Sequence, residues 1–326
     1  MIIAVDAMGG DYAPKEIIAG AIDAKEKLKI HICLVGQSDI INEHLHEIGI
    51  KEGIQVVHAS EVIGMDEHPG TAIRRKKDSS IVVATRLVKE KKADAVVSAG
   101  STGAQMAAAL FGLGRIKEVE RPAIVTVLPA KTGRVVLLDA GANADSKPKH
   151  LVQFAKMGSI YAEKILSFSN PKVALLNIGA EETKGNELTI ESYKLLQDDV
   201  NINFLGNIEG RDLLEGHADV IVCDGFVGNV VLKFAEGLAG TMFSLIKEEL
   251  EKSLPRKVGA LLAMPAFKAI KQKLDYNEYG GAPLLGIDGV SIICHGSSKA
   301  KAITNAVAVA KQCVESDLIG KIKEAI

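Results

Sequence analysis

Glycine-rich polar clusters recur along this chain, each directly after a short apolar run. Asp6-Ala7-Met8-Gly9-Gly10-Asp11 is the first, and Ser98-Ala99-Gly100-Ser101-Thr102-Gly103-Ala104 opens a helical pattern. Asp139 to Asp145 (DAGANAD), Asn177 to Glu181 with Lys184-Gly185-Asn186, Asp224 to Asn229 with Lys233 downstream, and His295-Gly296-Ser297-Ser298 follow. Glycine lets backbone approach a ligand, and unpaired N–H groups at a helix start favour an anion. Ser101 and Thr102 add two hydroxyl donors, so Ser101-Thr102-Gly103 is a candidate phosphate cradle. A structural reading exists for each residue. Asp6 and Asp11 suit capping of a following helix. Asn143 and Asn229 suit turns, and Lys233 suits a solvated helix face.

Other chemistries are excluded by missing motifs. The chain has no GxxxxGK[ST] loop, and Gly9-Gly10-Asp11 lacks the GxGxxG dinucleotide pattern. Neither HExxH nor GxSxG occurs, and His44 and His46 are two apart, off a common helix face. Cys33, Cys223, Cys294 and Cys313 form no CxxC pair and read as small buried hydrophobes in a reducing compartment.

The elements that must position these clusters follow a βα rhythm. Apolar strand runs fall at Ile2 to Val5, His31 to Val35, Ile54 to Val57, Ala95 to Ser98, Ala123 to Leu128, Val135 to Leu138, Val173 to Asn177, Ile202 to Leu205, Val220 to Cys223 and Val290 to Cys294. Helical patterns separate most of them. Unbroken apolar strands alternating with helices predict a mostly parallel sheet covered on both sides. Ala123 to Leu128 and Val135 to Leu138 read as a hairpin. No linker or repeat divides the chain, so residues 1–326 read as one α/β domain. A helical excursion spans about 239–289, and one closing helix runs from Ser298 to Lys323. No apolar run approaches a membrane span, and the first residues read as a strand rather than a signal peptide.

Composition fits this picture. Of 326 residues, 47% are hydrophobic and 25% charged, with a formal net charge of -2, which predicts no nucleic-acid partner. Within the excursion, Val258, Leu261, Leu262, Pro265 and Ala269 fall near one helical stripe, extended by Phe267. Six cations (Lys252, Arg256, Lys257, Lys268, Lys271 and Lys273) accompany it, with no acidic residue from Lys252 to Leu274. A basic amphipathic segment of this kind suits an anionic membrane surface, and dimer packing is its alternative.

Taken in order, the clusters resemble the PlsX family of acyl-ACP:phosphate acyltransferases over essentially the whole chain. The carrying pieces are VDAMGGD at Val5 to Asp11, RRKKDSS at Arg74 to Ser80, SAGSTGA at Ser98 to Ala104, LDAGAN at Leu138 to Asn143, KGNEL at Lys184 to Leu188, DGFVGN at Asp224 to Asn229, YGGAPLLG at Tyr279 to Gly286 and HGSS at His295 to Ser298. Ser101 departs from the Asn usual in the family turn, though serine still donates one hydrogen bond.

The resemblance implies a three-layer α/β/α sandwich related to isocitrate dehydrogenase-like and phosphotransacetylase-like folds. It implies a homodimer without cofactor, which moves a long-chain acyl group from acyl carrier protein to inorganic phosphate and feeds a membrane glycerol-3-phosphate acyltransferase; the sequence offers no evident set of metal ligands. Such an enzyme is cytoplasmic and peripherally membrane-associated. The expected phosphate- or acyl-binding set is Asp6, Gly9, Gly10, Asp11, Ser101, Thr102, Gly103 and Asn143. The expected catalytic set is Lys184, Asn186, Asn229, Lys233 and His295. Within it the lysines balance charge, the asparagines donate to phosphate or oxyanion, and His295 relays a proton. Arg74, Arg75, Lys76 and Lys77 are expected to dock the acidic carrier. Val258, Leu261, Leu262 and Phe267 are expected to contact membrane. Two alternatives are a phosphotransacetylase-like transfer from acyl-CoA and a non-catalytic acyl or phosphate sensor.

Overall fold

The computed structural model describes residues 1–50, 53–274 and 280–326, without the side chains of 271, 272 and 274. Tyr279 and the side chains of Lys271 and Leu274, which belong to motifs read from the sequence, therefore lie outside the described residues.

Apolar β-branched runs become strands where helices cover them. The first part of the chain alternates strictly: β1 (Ile2–Asp6), α1 (Lys15–Leu28), β2 (His31–Gly36), α2 (Ser38–Glu47), β3 (Gln55–His58), α3 (Pro69–Arg75), α4 (Ser80–Lys89), β4 (Ala95–Ser98) and α5 (Thr102–Gly112). Next come β5 (Ala123–Ile124), β6 (Thr126–Ala130), β7 (Gly133–Leu138), α6 (Pro148–Leu166), β8 (Lys172–Asn177), α7 (Glu187–Asp198), β9 (Asn203–Glu209) and β10 (Val220–Val222). The chain closes with α8 (Gly225–Glu251), α9 (Leu254–Leu274), β11 (Ala282–Leu285), β12 (Val290–Ile293), α10 (Ala300–Glu315) and α11 (Leu318–Ala325).

The strands form two sheets, of order β3-β2-β1-β4-β12-β11-β5 and β6-β7-β10-β8-β9. Both are mainly parallel. β11 runs antiparallel to β12 and β5, and β6 and β7 form the expected antiparallel hairpin. One apolar cluster joins the sheets, with Ile3, Val5 and Val97 on one side and Val136, Leu138, Val173 and Val220 on the other. Buried Leu151, Phe154, Met157 and Tyr161 of α6 belong to the same cluster.

Four details differ from the sequence reading. The run read as one strand over Ala123 to Leu128 is interrupted at Val125, whose N–H donates to the Pro283 carbonyl at 3.0 Å. Here the chain leaves the first sheet and enters the second. Next, the excursion starts earlier than residue 239, at Gly225, and it contains β11 near its end. The closing helix is broken at Asp317, whose φ is +49°. Finally, α8 is by length and composition apolar enough to cross a membrane, and its most apolar stretch is not buried. Lys233 and Glu236 interrupt its apolar residues, so the sequence shows no unbroken apolar run there.

All four cysteines are buried and unpaired. Burial pushes the Cys33 thiol up to about 11, and those of Cys294 and Cys313 up to about 12. These thiols are inert packing groups, as their apolar surroundings suggested.

Candidate active site

β1, β4 and β12 are neighbours, so the turns at their carboxyl ends meet. Asp6 anchors this meeting point. It is buried, Ser98 Oγ donates to its Oδ2 at 2.6 Å, and the Met8 N–H donates to its Oδ1 at 3.2 Å. Burial pushes the Asp6 carboxyl above its usual range, while the Ser80 and Ser98 hydroxyls and the Met8 and Gly9 N–H groups oppose that shift. With these partners the carboxylate holds the turns rather than meeting a phosphate anion. A Cβ on Gly9 would lie 2.6 Å from Asp6 Oδ2 and 2.8 Å from the Gly100 nitrogen, so only glycine lets the two turns touch. Gly10 has φ +112° and sits against Ala99 and the Gly296 carbonyl. The Asp11 N–H donates to that carbonyl at 2.8 Å, and the Cys294 N–H donates to the Ser98 carbonyl at 2.8 Å.

α5 starts at this junction. Ser101 is its N-cap, its hydroxyl accepting from the Ala104 N–H at 3.4 Å. The N–H groups of Thr102 and Gly103 have no intrahelical acceptor, as at every helix start, and the Thr102 side chain is exposed. Two of the expected binding elements, the Gly9-Gly10 turn and Ser101 to Gly103, are thus side by side. His295 is exposed beside them, its Nδ1 2.7 Å from Ser297 Oγ, and the Ser297 N–H donates to the same nitrogen at 3.2 Å. In the neutral ring this places the hydrogen on Nε2.

A second set of turns lies at the ends of β7, β10 and β8, also neighbours. Its anchor is Asp139, fully buried, with five N–H donors. Oδ1 accepts from the backbone of Ile124 at 3.0 Å, Gly141 at 3.1 Å and Ala142 at 2.9 Å. Oδ2 accepts from the Asn143 backbone at 2.8 Å and the Asn143 amide at 2.8 Å. Burial pushes this carboxyl up, against those donors. The Asn143 amide also donates to the Pro122 carbonyl at 2.7 Å. Both its hydrogens are therefore engaged inside the protein, and the expectation that Asn143 binds phosphate through its amide is not met. It builds the turn instead.

Asn229 and Lys233 sit one turn apart on α8, both exposed, with Asn229 about 3.5 Å from where a Gly141 Cβ would stand. Lys233 pairs with Glu236 at 3.1 Å. Lys184 is exposed, its side chain lying over Gly179. Asn186 caps α7, its oxygen accepting from the Thr189 N–H at 3.0 Å. α5 links the two sets of turns: Ala109, with Met106 beside it, packs in one cluster with Ala140, Ala142 and Leu232.

The remaining expected residues are elsewhere. Arg74, Arg75 and Lys77 are exposed around the end of α3, and the Arg74 guanidinium stands 5.8 Å from the Phe111 ring centre on α5. Lys76 turns inward. Val258, Leu261 and Leu262 are 59%, 70% and 79% exposed on α9, whereas Phe267 is half-buried. A cavity of about 550 Å³ lies at Arg134, Tyr161, Lys273 and Gln312, at the opposite end of β7 from Asp139. Sequence reasoning missed Ser80 and Ser98 as partners of Asp6, and Val62 and Ile63, which close a small space against Gly9, Gly100 and Ser101. Ser80 and Ser98 lay within the recognised motifs, but no spacing rule joins positions so far apart in the chain.

Two sets of glycine-rich turns, each anchored by a buried carboxylate, thus stand at the carboxyl ends of mostly parallel strands in an α/β fold. Among solved structures the fold is similar to a phosphotransacetylase from Streptococcus pyogenes, with TM-score 0.65 and 17% identity, covering 97% of this chain and 94% of that one. The model of the family described as "Fatty acid synthesis protein" matches residues 1–321. Relatives named phosphate acyltransferase include those of Heliobacterium modesticaldum, 60% identical over 100% of this chain and 98% of its own, and Desulfitobacterium hafniense, 62% identical over 100% and 97%. The chain belongs to this fatty acid synthesis protein family, and it is an acyltransferase. That sets aside the sensor reading.

Proposed function

We propose that this enzyme transfers a long-chain fatty acyl group from acyl carrier protein to inorganic phosphate, releasing acyl phosphate and the free carrier. The observation that carries the reading is the start of α5, where the Gly9-Gly10 turn, the Ser101-Thr102-Gly103 turn and His295-Gly296 adjoin. Backbone N–H groups and the Thr102 hydroxyl hold phosphate there. A phosphate oxygen attacks the thioester carbonyl carbon. The oxyanion formed is stabilised by N–H and amide donors, Asn229 among them, and collapse breaks the C–S bond. Lys184 and Lys233 balance phosphate charge, and His295 takes the proton of the attacking hydrogen phosphate and passes it to the departing thiolate. Asp6 and Asn143 act one step back, by fixing the turns. The fold alone also suits a coenzyme A donor, as the phosphotransacetylase likeness indicates.

The test is purified protein with long-chain acyl carrier protein and inorganic phosphate, following acyl phosphate and free carrier. Phosphate-dependent release from the carrier, and slower release from acyl-CoA, is expected. Release from acyl-CoA alone would transfer the reading to the coenzyme A alternative, and silence from both donors would remove it.

The same proposal places the protein in the cytoplasm as a homodimer, peripherally bound to anionic membrane beside a glycerol-3-phosphate acyltransferase. Exposed Arg74, Arg75 and Lys77 dock the acidic carrier. Val258, Leu261 and Leu262 enter the membrane surface while Lys257 and Lys268 meet anionic headgroups. Replacing Leu261 and Leu262 with Asp is expected to abolish sedimentation with anionic vesicles and leave soluble turnover intact. Unchanged sedimentation would sink the membrane assignment.

A further inference from the structure

The segment from Val62 to Pro69 crosses the mouth of the first set of turns and touches each of them. Val62 and Ile63 wall a space of about 10 Å³, room for one water, against Asp6, Gly9, Ser98, Gly100 and Ser101. The Met65 methyl lies 2.9 Å from where a Gly296 Cβ would stand, and the Pro69 ring lies 2.6 Å from the same position at Gly103. The segment has no strand or helix of its own between β3 and α3. Backbone hydrogen bonds of Glu61 to Asp78 and Ser80 hold its entry, and beyond them its seating depends on side chains.

One lysine ties two points of the segment. Lys76 Nζ donates to the Val62 carbonyl at 2.8 Å and to Glu67 Oε1 at 2.7 Å. The same Glu67 oxygen accepts from the Gly64 N–H at 2.6 Å. Lys76 thus ties both ends of the crossing segment to the end of α3, about one-third exposed on each side of the pair. Arg74, Arg75 and Lys77, its neighbours in the basic run, are exposed. Lys76 is the one cation of the four that turns inward.

We infer that Lys76 is a positioning residue: with Glu67 it straps the Val62 to Pro69 segment over the start of α5, and so sets how tightly the turn there holds a small anion. This rests on the proposed function for the anion site at the start of α5 and for its ligand, inorganic phosphate. The seated segment packs Pro69 on Gly103 and Val62 and Ile63 on Gly100 and Ser101, so it holds the backbone at the start of α5 in one geometry, and preorganised N–H donors hold an anion more tightly. With the pair broken, Val62 and Glu67 lose their tie to the end of α3 and that geometry is less fixed. The strap touches the phosphate side of the site and not the exposed basic residues, so its loss acts on the anion rather than on the carrier.

The experiment compares wild type with Lys76→Met, Glu67→Gln, Lys76→Arg and the charge-exchanged pair Lys76→Glu with Glu67→Lys. Hydrogen exchange at residues 62–68 is read first, with and without inorganic phosphate. Lys76→Met and Glu67→Gln are expected to speed exchange there about tenfold, the scale of losing a charge-assisted hydrogen bond, while Lys76→Arg and the exchanged pair restore much of the protection. Kinetics come second. In Lys76→Met the KM for phosphate is expected to rise about tenfold, with kcat and the KM for acyl carrier protein within about twofold. Unchanged exchange at 62–68 in Lys76→Met overturns the strap. Equal rises in both KM values would return Lys76 to carrier docking. Wild type without phosphate-dependent turnover would refute the proposed function, while exchange would still decide the strap.

Discussion

Asp139→Asn is expected to unfold at markedly lower urea concentration than the wild type, by about 2–4 kcal/mol, although it differs by a single atom type. The reason is the sign of every contact. All five partners of the Asp139 carboxylate are N–H donors, three on Oδ1 and two on Oδ2. In asparagine, one oxygen still serves Ile124, Gly141 and Ala142. The amide nitrogen then faces the two Asn143 donors, donor against donor, in a site with no solvent exposure. Asp139→Ala leaves all five without an acceptor and is expected to cost at least as much. The damage should reach α8, because Gly228 packs so closely on the Asp139 carbonyl that a Cβ there would collide with it. Urea denaturation of both variants checks this. An asparagine variant within about 0.5 kcal/mol of wild type would show that the turn does not depend on this carboxylate.

This hub also shows how far the sequence could be read. Strand positions followed from apolar runs, and the turns at their ends from glycine and polar clusters, since both signals are local. The pairing of β4 with β1 and β12 is not local. It brings Asp6 to Ser98 across 92 positions, and no periodicity encodes that contact. The passage between sheets at Val125 was hidden for the same reason, because an apolar run is equally good strand on either side of the break. Exposed helices misled in another way. α8 carries Phe226, Val230, Phe234, Leu238, Met242 and Leu245 at steps of four and three, all substantially exposed, so its apolar content says nothing about burial within one chain. Side-chain roles were the least legible. Asn143 and Lys76 sit in motifs that suggested ligand and carrier contact, yet their donors are used inside the protein. Type and motif identify which residues matter. Only the position of the neighbouring acceptors separates a group that binds from a group that holds the binder in place.

Gly9→Ala puts that distinction to its sharpest test. Asp6 and Asp139 play matching parts, each a buried carboxylate that gathers the N–H groups of the turn after its strand. At Gly9 the φ angle is not positive, so alanine meets no backbone conformational penalty. The conflict is contact alone: its Cβ would stand 2.6 Å from Asp6 Oδ2, 2.8 Å from the Gly100 nitrogen and 2.9 Å from Gly100 Cα. Two of these atoms are backbone, so the β1 and β4 turns must part by several tenths of an ångström or more. Crowding of this size in a packed site costs about 1–3 kcal/mol, which a two-sheet protein of 326 residues can bear while staying folded. Catalysis is less tolerant. The start of α5 moves with Gly100, and a displacement approaching 1 Å between phosphate and the acyl carbonyl lowers rate by about a hundredfold. The expected result is therefore a folded variant with kcat/KM for phosphate down about a hundredfold and its thermal midpoint lowered only modestly. If the folded variant instead turns over within a few-fold of wild type, the contact between these two turns is structural packing, and the reacting groups must be sought at the β7, β10 and β8 ends.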